Sequence, residues 1–76
     1  MLDKKQVIQP NRKRAALFKA ALFEAGLTQR DWAKEVGVRD DTVKKYIYGL
    51  IGDRSKCEPW AIKKFGELFI AKAKAV

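Results

Sequence analysis

Side chains able to do covalent or metal chemistry are few in this 76-residue chain: there is one cysteine, Cys57, and no histidine. Neither a disulfide framework nor a Cys/His zinc site can be built within one chain from that set. Cys57 has no base evident near it in sequence, no glycine-rich phosphate loop is present, and the carboxylates show no metal-ligand spacing. The expectation is a protein that is not an enzyme, needs no cofactor and shows no small-molecule ligand site, with Cys57 an inert loop or half-buried thiol. The remaining reactive inventory is cationic. Seventeen Lys and Arg against nine Asp and Glu leave a net charge of +8, a surface field that favours a polyanionic partner.

The distribution of that charge says more than its sum. Lys4, Lys5, Arg12, Lys13, Arg14 and Lys19 face only Asp3 and Glu24 in the first third of the chain. Beyond residue 50, Arg54, Lys56, Lys63, Lys64, Lys72 and Lys74 face Asp53, Glu58 and Glu67, while the middle is nearly neutral. Basic flanks around a neutral centre suit a division of labour in which the flanks hold phosphates and the middle reads bases. Arg12, Lys13 and Arg14 crowd the start of an expected helix, where positive charge opposes the helix dipole, so phosphate contact is their candidate role. Arg54 and Lys56, in a polar loop, are weaker candidates for the same role.

The neutral centre, residues 28–49, reads as two short helices joined at a glycine. Thr28 is an N-cap with Asp31 at the third helical position, and Trp32, Ala33 and Val36 share one face. Gly37 allows a turn at positive φ, Val38 points back into the core, and Val43, Tyr46 and Ile47 lie on the inner side of the next helix. Ala33 has to be small because the second of these helices crosses the first there.

These residues, with the run Gly26-Leu-Thr-Gln-Arg-Asp-Trp-Ala-Lys-Glu-Val-Gly-Val38, resemble the lambda-repressor and Cro-like helix-turn-helix family. The resemblance covers about residues 26–49. It implies sequence-specific binding of double-stranded DNA by a transcriptional regulator of phage or mobile-element type, with the second motif helix in the major groove. It places Gln29 near a phosphate and sets Arg39, Asp40, Asp41, Lys44, Lys45 and Tyr48 along the groove-facing side. Asp40 is expected to act as a helix cap and Asp41 as a reader of cytosine N4. Two departures stand out: the family usually has a serine-like cap where Arg39 stands, and often an acidic or polar residue where Ile47 stands, so Arg39 is freed for contact and Ile47 is expected to be partly buried. A homodimer on paired half-sites is also implied, and Phe69 and Ile70 are the candidate contact.

Around this motif the remaining elements follow from periodicity and breakers. Residues 1–10 read as a flexible basic arm ended by Pro10, either a frayed terminus or a strand of charge along the DNA backbone. A first helix over residues 12–25 is capped by Asn11, ended by Gly26, and buries Phe18, Ala21, Leu22 and Ala25. The motif helices span 29–36 and 40–48. Pro59 opens a fourth, over residues 60–73, with Ile62, Phe65, Leu68 and Phe69 inward and Lys63, Lys64, Glu67, Lys72 and Lys74 outward. Trp32, Trp60 and Tyr46 are core residues by default, and Tyr48 can close the helix end while its hydroxyl reaches a phosphate. The expected architecture is all-α: a compact four-helix, lambda repressor-like domain over residues 11–76. No apolar run approaches the roughly 20 residues that span a bilayer, and no signal-like segment opens the chain, so a cytoplasmic protein is expected. Two alternatives stay open: a non-specific nucleic-acid binder, in which Lys44 and Lys45 merely belong to a solvated face, and a protein-interaction adaptor using Phe23, Phe69 or Ile70.

Overall fold

The computed structural model describes residues 9–52 and 55–76, so most of the expected arm, and Arg54 with it, lies outside the described residues. The described chain is all-helical: α1 (Arg12–Glu24), α2 (Gln29–Val36), α3 (Asp40–Ile47), α4 (Cys57–Phe65) and α5 (Glu67–Lys74). No helix among the described residues is long and apolar enough to cross a membrane.

Local sequence accounts for the helix starts. The Asn11 side chain accepts from the Arg14 backbone N–H at 3.0 Å, satisfying one of the orphan donors of α1. Thr28 and Asp31 form a reciprocal capping box, with Asp31 N donating to Thr28 Oγ1 at 3.1 Å and Thr28 N donating to Asp31 Oδ2 at 2.9 Å. The Thr28 backbone N–H foremost, and the Thr28 side chain after it, hold the Asp31 carboxyl below the usual carboxylate range. Gly37 ends α2 at φ +83°, and its N–H returns to the Ala33 carbonyl at 2.8 Å. That left-handed conformation costs glycine little and other residues more.

Beyond Gly52 the structure departs from the expected single helix. Helix α4 begins two residues before Pro59, led in by Ser55, whose hydroxyl accepts from the Cys57 backbone N–H at 3.3 Å. Pro59 falls at the third helical position, still within the first turn, where a missing N–H breaks no intrahelical bond. Cys57 is fully buried at the start of α4 rather than in a loop, and burial pushes its thiol pKa up. The expected fourth helix is interrupted at Gly66, whose φ of +92° and ψ of +155° are open essentially only to glycine, so the described residues form five helices and not four. The break re-aims α5. Ile70 and Ala73 turn into the core, while Leu68, expected inside, is 89% exposed.

The core is small and aromatic. Phe18 lies within 5.4–6.4 Å of Trp32, Tyr46, Phe65 and Phe69, mostly edge to face. Trp60, expected as core, is only half-buried: it stacks on Trp32 at 4.6 Å and donates its indole N–H to Glu35 at 2.9 Å. Helix α3 packs against α2 and α1, α4 against α2, and α5 against α1 and α4. Glu58 ties three of them together by accepting from the Tyr46 hydroxyl at 2.9 Å and pairing with Lys74.

Two substitutions test this account. Phe18→Ala, which leaves a void at the centre of the ring cluster, should cost about 3–5 kcal/mol in urea unfolding. Gly66→Ala should cost about 1–3 kcal/mol through its backbone conformation alone, while Gly52→Ala should change stability by less than about 0.5 kcal/mol.

Candidate nucleic-acid interface

Helix α3 is amphipathic in a way that assigns its side chains to two tasks. Val43, Tyr46 and Ile47 are fully buried, Ile47 more completely than expected. Arg39, Asp40, Asp41, Lys44 and Lys45 are exposed, with Tyr48 half-buried at the end of the same side. Residues 40, 41, 44, 45 and 48 recur at helical spacing, so they form one continuous stripe.

At the start of that stripe α2 and α3 stand side by side. Arg30, the second residue of α2, reaches Asp40, the first of α3, at 3.5 Å. Gln29 therefore occupies the leading end of α2 beside the start of α3, where the helix dipole favours an anion. Arg39 holds the N-cap position of α3 and makes no side-chain capping bond; Asp40 is the first helical residue and not the cap, and its carboxylate faces Arg30 instead. Asp41 pairs with Lys45 one turn on, at 3.3 Å. Both acidic groups are thus offset by an adjacent cation. Exposed pairs of this kind contribute roughly 0.2–1 kcal/mol, so they trim the charge of the face without holding it in place.

At the far end of the stripe α1 supplies cations. The Lys19 ammonium donates to the Tyr48 hydroxyl at 2.8 Å and lies 5.0 Å from the centre of its ring. That hydrogen bond, with the nearby charges of Lys19, Lys44 and Arg12, holds the Tyr48 phenol below its ordinary value. Arg12, Lys19, Lys44 and Tyr48 therefore form one electropositive cluster across α1 and α3. Lys19 is the member that motif reasoning missed, although its spacing of seven residues from Arg12 sets the two on one face, two turns apart. Pro10 and Leu50 join Asp41, Lys44, Lys45 and Tyr48 around a shallow depression beside this stripe.

The three clustered cations of α1 have separate fates. Arg12 joins the Tyr48 cluster; Lys13 is exposed but rotated about 100° around the helix from it. Arg14 is not a phosphate contact. Only 7% exposed, it donates from Nη2 to the Tyr46 carbonyl at 2.8 Å and lies over the Tyr46 and Phe18 rings. Lys56 is exposed just before α4, and no described contact joins it to the α3 stripe. Of the candidates for a dimer or partner surface, Ile70 is buried, Phe69 packs half-buried against the core, and Phe23, at 85% exposure, stands in solvent.

Compared with known proteins, the chain matches no family model, no curated protein and no solved structure.

The Tyr48 arrangement predicts a titration. A depressed phenol pKa favours the folded state only at alkaline pH, with the stabilisation complete above the ordinary value of about 10 and lost as pH falls through the folded value. Lys19→Met should move the Tyr48 ionisation, read by ultraviolet absorbance as the difference from Tyr48→Phe, back up towards that ordinary value, with stability at neutral pH little changed.

Proposed function

We propose that this chain is a double-stranded-DNA-binding protein of the lambda-repressor-like helix-turn-helix kind, acting as a transcriptional regulator of phage or mobile-element type, with α3 lying in the major groove. The observation that carries the reading is the bracketing of the exposed α3 stripe. The leading end of α2 stands at its start and the Arg12 and Lys19 cations of α1 stand at its end. A helix seated in a groove needs base-reading side chains along its outer face and phosphate contacts to either side.

In this reading Arg39, Lys44 and Lys45 meet base edges, where Arg and Lys suit guanine O6 and N7, and Asp41 accepts from cytosine N4. Gln29, Arg12, Lys19 and the Tyr48 hydroxyl meet phosphates. The local neutralisation of Asp40 and Asp41 by Arg30 and Lys45 supports the reading, since two bare carboxylates would repel the backbone.

Selection of bound duplexes from a random-sequence pool at moderate salt tests it, and enrichment of a motif is the expected result. Binding without enrichment would leave a charge-driven, non-specific binder, and no binding would point to a protein partner. Replacing Arg12 and Lys19 together by alanine should lower the salt dependence of binding by roughly two phosphate contacts, a slope change of about 1.8, with the preferred sequence unchanged. Lys44→Ala should instead relax the preference at one position, worth roughly 1–3 kcal/mol.

A further inference from the structure

The depression beside the α3 stripe, about 290 Å3 in volume, has mostly apolar walls although it lies on a charged face. Pro10, Leu50 and Tyr48 supply apolar surface; Asp41, Lys44 and Lys45 are its charged members. Backbone hydrogen bonds fix both aliphatic walls. At the end of α3, Gly49 turns through φ +74°, its N–H donating to the Tyr46 carbonyl at 3.0 Å and the Leu50 N–H to the Lys45 carbonyl at 2.8 Å. That pattern folds the chain back over the end of a helix, so Leu50 is set beside α3. Pro10 is held by its neighbour Asn11, whose N–H donates to the Tyr48 carbonyl at 2.8 Å. The hollow is therefore built into the fold. Its volume lies just below the roughly 300–1,000 Å3 of sites that bury a whole small molecule, so it suits the edge of a larger partner.

We propose that this hollow receives the 5-methyl group of a methylated cytosine, so that the protein binds its DNA site more tightly when that cytosine is methylated. The inference rests on the DNA-binding reading and names what the α3 face reads at one position. In the major groove, the apolar group that a base edge offers is a methyl on C5 of a pyrimidine. Thymine and 5-methylcytosine both carry it and differ in the group next to it: O4 of thymine accepts, whereas N4 of cytosine donates. Asp41 lines the hollow, and a carboxylate only accepts, so it suits N4 and repels O4. Its pair with Lys45, at 3.3 Å, is made through Oδ2 and leaves Oδ1 for the base. Lys44, another wall, suits O6 and N7 of guanine, which the same C·G pair presents. An unmethylated cytosine answers Asp41 and Lys44 but puts nothing apolar against Pro10 and Leu50.

Fluorescence-anisotropy titration of the full chain, at one salt concentration, against the duplex preferred in the random-pool selection tests the proposal. Each cytosine of that duplex is replaced in turn by 5-methylcytosine, or its C·G pair by T·A. At one position methylation should tighten binding by about fourfold, the gain from burying one methyl-sized apolar group. Thymine at that position should bind more weakly than 5-methylcytosine. Leu50→Ala should bring the ratio of methylated to unmethylated affinity close to one. Asp41→Asn, whose amide can donate to O4, should let thymine match 5-methylcytosine. Three results would overturn the proposal and leave the DNA-binding reading intact: a preferred sequence in which no methylation tightens binding, thymine preferred to 5-methylcytosine at the responsive position, or a methylation response that survives Leu50→Ala. Failure to bind any duplex selectively would overturn both.

Discussion

The orientation of α3 depends on one buried cation. Arg14 reaches from α1 over the rings of Phe18 and Tyr46 to donate to the Tyr46 carbonyl, in the last turn of α3, at the negative end of the helix dipole. A few residues earlier the Asn11 backbone N–H donates to the Tyr48 carbonyl at 2.8 Å. Together the two bonds hold the end of α3 against the start of α1. With Val43, Tyr46 and Ile47 buried below, rotation of α3 about its axis is closed off, and that fixes which of its side chains face out. Hydrogen bonds from charged groups contribute about 1.5–3 kcal/mol, more than the exposed Arg30–Asp40 and Asp41–Lys45 pairs supply, so the outer face is positioned from within.

A chain of this length has little interior with which to do that, and ring stacking makes up part of the difference. Phe18 touches four other aromatics, and Trp60, only half-buried, still extends the cluster by lying flat on Trp32. Gly66 serves the same end. A straight helix over residues 60–73 would carry its later apolar residues along the direction of α4, whereas the break lets α4 lie on α2 while α5 folds onto α1. Ile70 and Ala73 gain burial by this, and Leu68 loses it.

Much of the candidate site was legible because its determinants are local. The capping box at Thr28 and Asp31, the turn at Gly37 and the division of α3 into buried Val43, Tyr46 and Ile47 and exposed Asp41, Lys44 and Lys45 all follow from contacts within a few residues. Errors came where local and distant demands differ. Asp40 has a good capping side chain, but the cap position is Arg39, and the Asp40 carboxylate found Arg30 across the turn. Arg12, Lys13 and Arg14 are equivalent as a sequence of charges, yet successive positions on a helix point about 100° apart, so one meets Tyr48, one meets solvent and one enters the core.

By itself, then, the sequence determined the helix boundaries around the motif, the apolar stripes, and the scarcity of groups able to act as nucleophile or metal ligand, since spacing and side-chain type settle these over a few turns. Tertiary structure alone decided that Arg14 is a core residue, that Lys19 belongs with Tyr48, and that Leu68 stands in solvent. Arg14 and its acceptor are 32 residues apart, and Lys19 and Tyr48 are 29 apart. Periodicity shows which side of a helix a residue occupies, but only the packing of α1 against α3, and the turn at Gly66, determine what that side meets.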